Sequence, residues 1–171
     1  MMQHRHFSVS APISTRQDIL NLARLAGEIW REYFPPLIGR DQVEYMLAQF
    51  QSATAIEEQI VSGAIYAYIL EKNKPIGYIS VVQRSDDDTL FLSKFYLKQP
   101  YRGRGAGYIA LCSIQDMARA VGVRTITLTV NRHNRLALDA YRRMGFEIIG
   151  EKVTDIGGGY IMDDYQMSLT V

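Results

Sequence analysis

The feature that most constrains this 171-residue chain is the run Arg102-Gly103-Arg104-Gly105-Ala106-Gly107. It follows a strand-like stretch over residues 90–97. It precedes a stretch in which Leu111, Ile114, Met117 and Val121 recur at helical spacing until Gly122. A loop between a strand and a helix can turn its backbone N–H groups and the positive helix end toward one point, with no side chain intervening. Small residues suit such a loop because the backbone must approach the ligand closely. The run predicts a phosphate-gripping turn.

Charge points to the same segment. Residues 1–93 carry 8 Lys/Arg and 11 Asp/Glu, residues 94–143 carry 10 and 2, and residues 144–171 carry 1 and 5, so the blocks hold −3, +8 and −4. The middle block wants an anion. A nicotinamide dinucleotide is disfavoured, although Gly105-x-Gly107-x-x-Ala110 matches that fingerprint. The fingerprint belongs in a first β-α unit with an acidic residue about 20 positions on, and positions 125–131 offer no carboxylate. No Gly-Lys-Ser/Thr supplies a P-loop. The arginines cluster at glycines and helix ends without an aromatic stacking platform, so nucleic acid is not the expected partner.

The remaining pattern reads as one domain over residues 1–171. A short strand at 7–10 leads to a helix opened by Thr15 with Asp18 and stopped by Pro35-Pro36. Two shorter helices follow, one opened by Asp41 with Glu44, the other by Thr54 with Glu57 and closed by Gly63. Strand-like runs at 65–70, 76–82 and 90–97, joined by short turns, predict an antiparallel meander; Asp86-Asp87-Asp88 is one of those turns. After the glycine loop the order is helix, strand (126–130), helix (134–144) and two strands (146–152 and 160–170). Cys112, the lone cysteine, reads as a small buried hydrophobe. His4 and His6 at the terminus and His133 in a loop lack metal-ligand spacing, so no metal is expected. No secretory signal or membrane-spanning run is evident, which predicts a cytoplasmic protein with no membrane partner.

Arg102-x-x-Gly105-x-Gly107 after a strand, followed by Asn134-x-x-Ala137-x-x-x-Tyr141-x-x-x-Gly145-Phe146, resembles the GNAT N-acetyltransferase superfamily. The order of elements is similar over essentially the whole chain. The resemblance implies an α/β fold, an α+β mixed and mostly antiparallel sheet flanked by helices, with acetyl-coenzyme A as co-substrate. It implies that backbone amides of Arg102, Gly103, Arg104, Gly105, Ala106, Gly107 and Tyr108 hold the pyrophosphate. Phe95-Tyr96-Leu97 would pair with the pantetheine arm, and the sheet would splay at a bulge that frees an oxyanion donor near Leu97.

Family precedent makes Tyr141 the general acid; a phenol is protonated at neutral pH and can serve a departing thiolate. From its spacing alone Tyr141 reads as a core tyrosine; Asn134 and Gly145-Phe146 in register favour the catalytic reading. Asn134 would touch the cofactor and can also cap its helix. Many relatives carry a glutamate on the strand before the glycine loop. Residues 91–97 hold none, leaving Glu32, Glu71 or Asp164 as bases acting through water. Glu32 and Asp164 are candidate substrate-binding residues.

The tail from Asp155 to Met167 is similar to bacterial polyamine N-acetyltransferases, implying a small cationic amine as acceptor. Protein N-termini, lysines and a non-catalytic acetyl-coenzyme A-binding module are the alternatives, and a homodimer is compatible with the pattern. Strand alternation puts Ile161, Asp163, Tyr165 and Met167 on one face and Met162, Asp164 and Gln166 on the other. Asp163 is then the expected buried partner. Asp164 is either solvated or amine-facing.

Overall fold

The computed structural model describes residues 6–171; His4, with the rest of residues 1–5, lies outside them. The chain runs β1 (Phe7–Val9), α1 (Arg16–Tyr33), α2 (Pro35–Ile38), α3 (Arg40–Phe50), α4 (Ala53–Val61), β2 (Ile65–Glu71), β3 (Lys74–Arg84) and β4 (Thr89–Leu97). A 3-10 turn, Gln99–Tyr101, leads into α5 (Ala106–Ala120), β5 (Thr125–Asn131), α6 (Arg135–Arg143), β6 (Glu147–Gly157) and β7 (Tyr160–Thr170). The strands form one sheet in the order β1-β2-β3-β4-β5-β7-β6. Among the described residues only β4 and β5 pair parallel. This is the predicted mixed, mostly antiparallel sheet.

Helices cover both faces. α1 opens on Thr15, whose side chain accepts from the Asp18 N–H at 3.1 Å. Its buried stripe of Ile19, Leu22, Ala26 and Ile29 packs with Tyr66, Tyr68 and Tyr78 of the meander. α5 lies on the other face, where Ala106, Ala110 and Ala118 bring its backbone close to the sheet and Ile114 is fully buried. Burying a side chain of that size contributes roughly 1.5–3 kcal/mol. The β2–β3 hairpin closes on Lys72 and Asn73, both at positive φ (49° and 65°), the twist that suits a two-residue turn.

Several local expectations change. Pro35-Pro36 ends α1 but begins α2, because proline lacks the N–H that a first helical turn leaves unbonded anyway. α3 starts from Gly39, with Asp41 inside its first turn instead of capping it. Ser52, not Thr54, caps α4, accepting from the Ala55 N–H at 3.2 Å. Val121 ends α5 and is 49% exposed, outside the apolar stripe. Cys112 is only partly buried.

The sheet opens at its centre. β4 and β5 pair only through Thr89–Phe91 and Thr125–Thr127, and beyond that point they diverge. The β3–β4 ladder pairs Ser80 with Lys94 and Val81 with Leu92, so Ser93 is a bulge. Both features lie earlier on β4 than the expected position near Leu97. Long pairing with β3, interrupted only by the bulge, holds one edge of β4, while the other edge faces a V-shaped gap.

Candidate active site

The gap is the mouth of a cleft of about 550 Å³. Leu92, Ser93, Phe95, Tyr96 and Leu97 of β4 form one wall, and Thr129, Val130 and Asn131 of β5 the other. The Lys98 N–H donates to the Ile76 carbonyl at 2.9 Å. Because successive N–H groups on a strand point to opposite edges, those of Leu97 and Phe95 face the gap.

The glycine loop closes one end. Gly103 and Gly105 take positive φ (70° and 92°), and Gly105 caps α5 in the left-handed region. A Cβ built on Gly105 meets nothing within 4 Å, so that side of the loop is open. Among the described residues, no N–H from Gly103 to Tyr108 finds a protein acceptor. Unpaired amides around a helix N-terminus suit an anion such as a pyrophosphate. Gly107 serves packing: a Cβ there would lie 3.3 Å from Met144 Cε.

Arg102, Gly103, Gly105, Gly107 and Tyr108 line the cleft, whereas Arg104 and Ala106 do not. Ala106 is buried in the core. The Arg104 guanidinium turns away to Glu71 at 3.1 Å and the Pro100 carbonyl at 3.0 Å. Glu71 is thus committed to Arg104 and lies outside the cleft lining. Glu32 is also absent from the lining and pairs with Arg102 at 3.1 Å. The basic middle block is therefore met partly by the molecule's own carboxylates.

Tyr141 lines the cleft on α6. Its ring packs against Phe95 and Phe146 at centroid distances of 6.2 and 5.6 Å, and its hydroxyl has no hydrogen-bond partner among the described residues. Burial first, then the neighbouring Tyr33, raises its pKa well above that of a free phenol. Asn134 is buried and caps α6, its Oδ1 accepting from the Ala137 N–H at 3.2 Å.

Of the two aspartates, Asp163 departs from its expected place, and Asp164 takes the cleft-facing one of its two alternatives. Asp163 is not the buried one: it is half-exposed and ion-paired to Arg132 at 2.7 Å. Asp164 is 4% exposed and lines the cleft from β7, opposite Asn131 and Lys152. Burial, with a further push from Asp163 and opposition from Lys152, brings its carboxyl up to about 6. Among the described residues it is the carboxylate in the cleft lining. Beyond it, Trp30, Phe34 and Tyr96 build an aromatic wall, with Trp30 centroids 4.3 Å from Phe34 and 5.4 Å from Tyr96.

Two cleft residues escaped the sequence reading. Tyr33 and Trp30 are aromatic residues of an amphipathic helix, a pattern that ordinarily marks core. No signal in the sequence distinguishes them.

Comparison with known proteins decides what this cleft belongs to. Residues 24–146 match the model of the acetyltransferase (GNAT) family. The chain belongs to that family. It is an N-acetyltransferase with acetyl-coenzyme A as co-substrate, and the matched span runs from α1 through α6, taking in both cleft walls. The uncharacterized N-acetyltransferase YycN of Bacillus subtilis is 39% identical over 57 residues, 33% of this chain and 36% of that one. The uncharacterized N-acetyltransferase Rv2669 of Mycobacterium tuberculosis is 26% identical over 151 residues, 88% of this chain and 96% of its own length. The PaiA N-acetyltransferase of Thermoplasma acidophilum, solved in complex with coenzyme A, superposes with a TM-score of 0.77 at 19% identity. That match covers 97% of this chain and 99% of PaiA, a likeness of fold. Among the described residues of this acetyltransferase no helix is long and apolar enough to cross a membrane.

Proposed function

We propose that this acetyltransferase acetylates a small cationic amine of the polyamine class. The observation that carries the reading is Asp164, a buried carboxylate in the cleft lining, beside an aromatic wall that can face a cation. An amine reaches the site protonated and must lose that proton before attacking the thioester. With a carboxyl near 6, Asp164 is ionised at neutral pH and is a stronger base than an ordinary aspartate.

The roles then divide as follows. The loop from Arg102 to Tyr108 holds the pyrophosphate, and β4 over Phe95-Tyr96-Leu97 runs along the pantetheine arm. Asp164 takes the ammonium proton, directly or through water. The Phe95 N–H, which faces the gap on the side of the Ser93 bulge, faces the thioester oxygen as that atom gains negative charge. Tyr141 gives its proton to the departing thiolate and regains one from the amine nitrogen as the amide forms. The ammonium's first proton leaves from Asp164 to solvent, so the net products are the amide, free coenzyme A and one proton.

Thiol release from acetyl-coenzyme A with an amine panel at equal concentration tests the substrate class. Spermidine and spermine should exceed neutral aromatic amines. Acetylation of an N-terminal peptide without acetylation of polyamines would overturn the substrate assignment and leave family and co-substrate standing.

A further inference from the structure

The end of α1 is fastened to both walls of the cleft. Glu32 holds the Arg102 guanidinium at 3.1 Å, and Arg102 Nε donates to the Leu97 carbonyl at 2.9 Å. The next residue, Tyr33, lies beneath the same guanidinium, 4.6 Å from its ring centroid. Its hydroxyl reaches the opposite wall, 2.5 Å from Asn134 Oδ1.

The direction of that last bond follows from the helix cap. Asn134 meets the Ala137 N–H at 3.2 Å, and an N–H can be met only by the carboxamide oxygen. Tyr33 approaches the same oxygen and must therefore be the donor. Both acceptor positions of Asn134 Oδ1 are occupied, and its NH₂ group has no partner among the described residues. The same logic holds across the gap, where Arg102 occupies the Leu97 carbonyl and leaves the Leu97 N–H free.

We infer that Tyr33 is a positioning residue: it locks the Asn134 carboxamide with its NH₂ toward the cleft, so that both walls offer donors to the carbonyl groups of the pantetheine arm. The inference rests on the cleft being the acetyl-coenzyme A site. It assigns Tyr33 no contact with the reacting atoms. Without the Tyr33 hydroxyl the cap alone holds the carboxamide, and the donor geometry loosens while the pyrophosphate loop is untouched.

Calorimetric titration with two ligands separates this role from a general structural one. Coenzyme A carries the pantetheine arm; adenosine 3′,5′-bisphosphate lacks it. Tyr33→Phe keeps the ring under Arg102 and should raise the Kd for coenzyme A about 3–10-fold, the scale of one hydrogen bond. The Kd for adenosine 3′,5′-bisphosphate should not move. Asn134→Asp keeps oxygens for both Ala137 and Tyr33 but has no NH₂. It should weaken coenzyme A selectively, and adding Tyr33→Phe to it should cost little more. Equal weakening of both ligands by Tyr33→Phe, or no change in either, overturns the inference. Wild-type protein that binds neither ligand overturns the cofactor-site reading as well, a failure visible before any variant is made.

Discussion

Asp163 and Asp164 are neighbours in sequence with opposite surroundings. Asp164 has its carboxyl held near 6, above its ordinary value, so the ionised form opposes folding at neutral pH. That cost is absent below about pH 4, grows as pH rises toward 6 and is constant above it. Asp164→Asn should therefore stabilise the protein at pH 7.5 by on the order of 1–3 kcal/mol, with the gain vanishing near pH 4, as read by denaturant titration. A variant less stable at pH 7.5 would contradict the assigned burial. Tyr141→Phe should lower kcat by roughly 10²–10⁴-fold with coenzyme affinity barely changed. Wild-type single-turnover rates would remove Tyr141 as the acid. Alternation correctly separated the two aspartates onto different faces, but it does not say which face a helix covers. α3 covers the face of Asp164: Met162 and Ile156 pack with Met46 there. The opposite face opens at Ile161, 57% exposed, where Arg132 meets Asp163. Tyr33 was illegible for another reason. Its partner Asn134 lies 101 residues away, and no local pattern encodes that pairing.

At the scale of elements, the glycine loop and the β-α-β-α-β-β order were legible because turn residues and periodicity are local. The opening between β4 and β5 was expected only from the family resemblance, and its position was not legible, since it depends on where parallel pairing ends. Lys94 shows one consequence. It sits beside the Ser93 bulge with no carboxylate partner among the described residues, and desolvation lowers its pKa to about 8. Its charged form costs stability below about pH 8, and that cost is relieved as pH rises from 8 toward the free-lysine value. Lys94→Met should raise the melting temperature at pH 7 and have a smaller effect at pH 10. An effect independent of pH would contradict the account. In the loop, Gly105→Val places a β-branched residue at φ 92° with its side chain in the open space. The variant should keep a native far-UV spectrum, melt lower and lose coenzyme binding. Unchanged affinity would mean the loop is misassigned.

At the scale of the molecule, the charge blocks are only partly available to ligands. Lys98, Arg102 and Arg104 pair with Glu28, Glu32 and Glu71, stitching the loop region to α1 and β2. The pairs are partly exposed and contribute little individually; they engage these three side chains within the protein, beside a loop whose backbone amides from Gly103 to Tyr108 find no protein acceptor among the described residues. Part of the acidic flanks is likewise paired, at Glu44, Glu57, Glu151 and Asp163, so the proposed attraction of a cation is assigned to Asp164 in the cleft and not to the summed flanking charge. The proposed transfer of a proton from a cationic amine to Asp164 is read out by kcat/KM for spermidine, followed by thiol release from pH 5 to 9 in wild type and Asp164→Asn. Wild type should rise through about pH 6 and again on the alkaline side as the amine loses its proton. Asp164→Asn should lose the limb near 6, keep the alkaline rise and show a higher KM for spermidine at an unchanged KM for acetyl-coenzyme A. Superimposable profiles, or equal increases in both KM values, would contradict it.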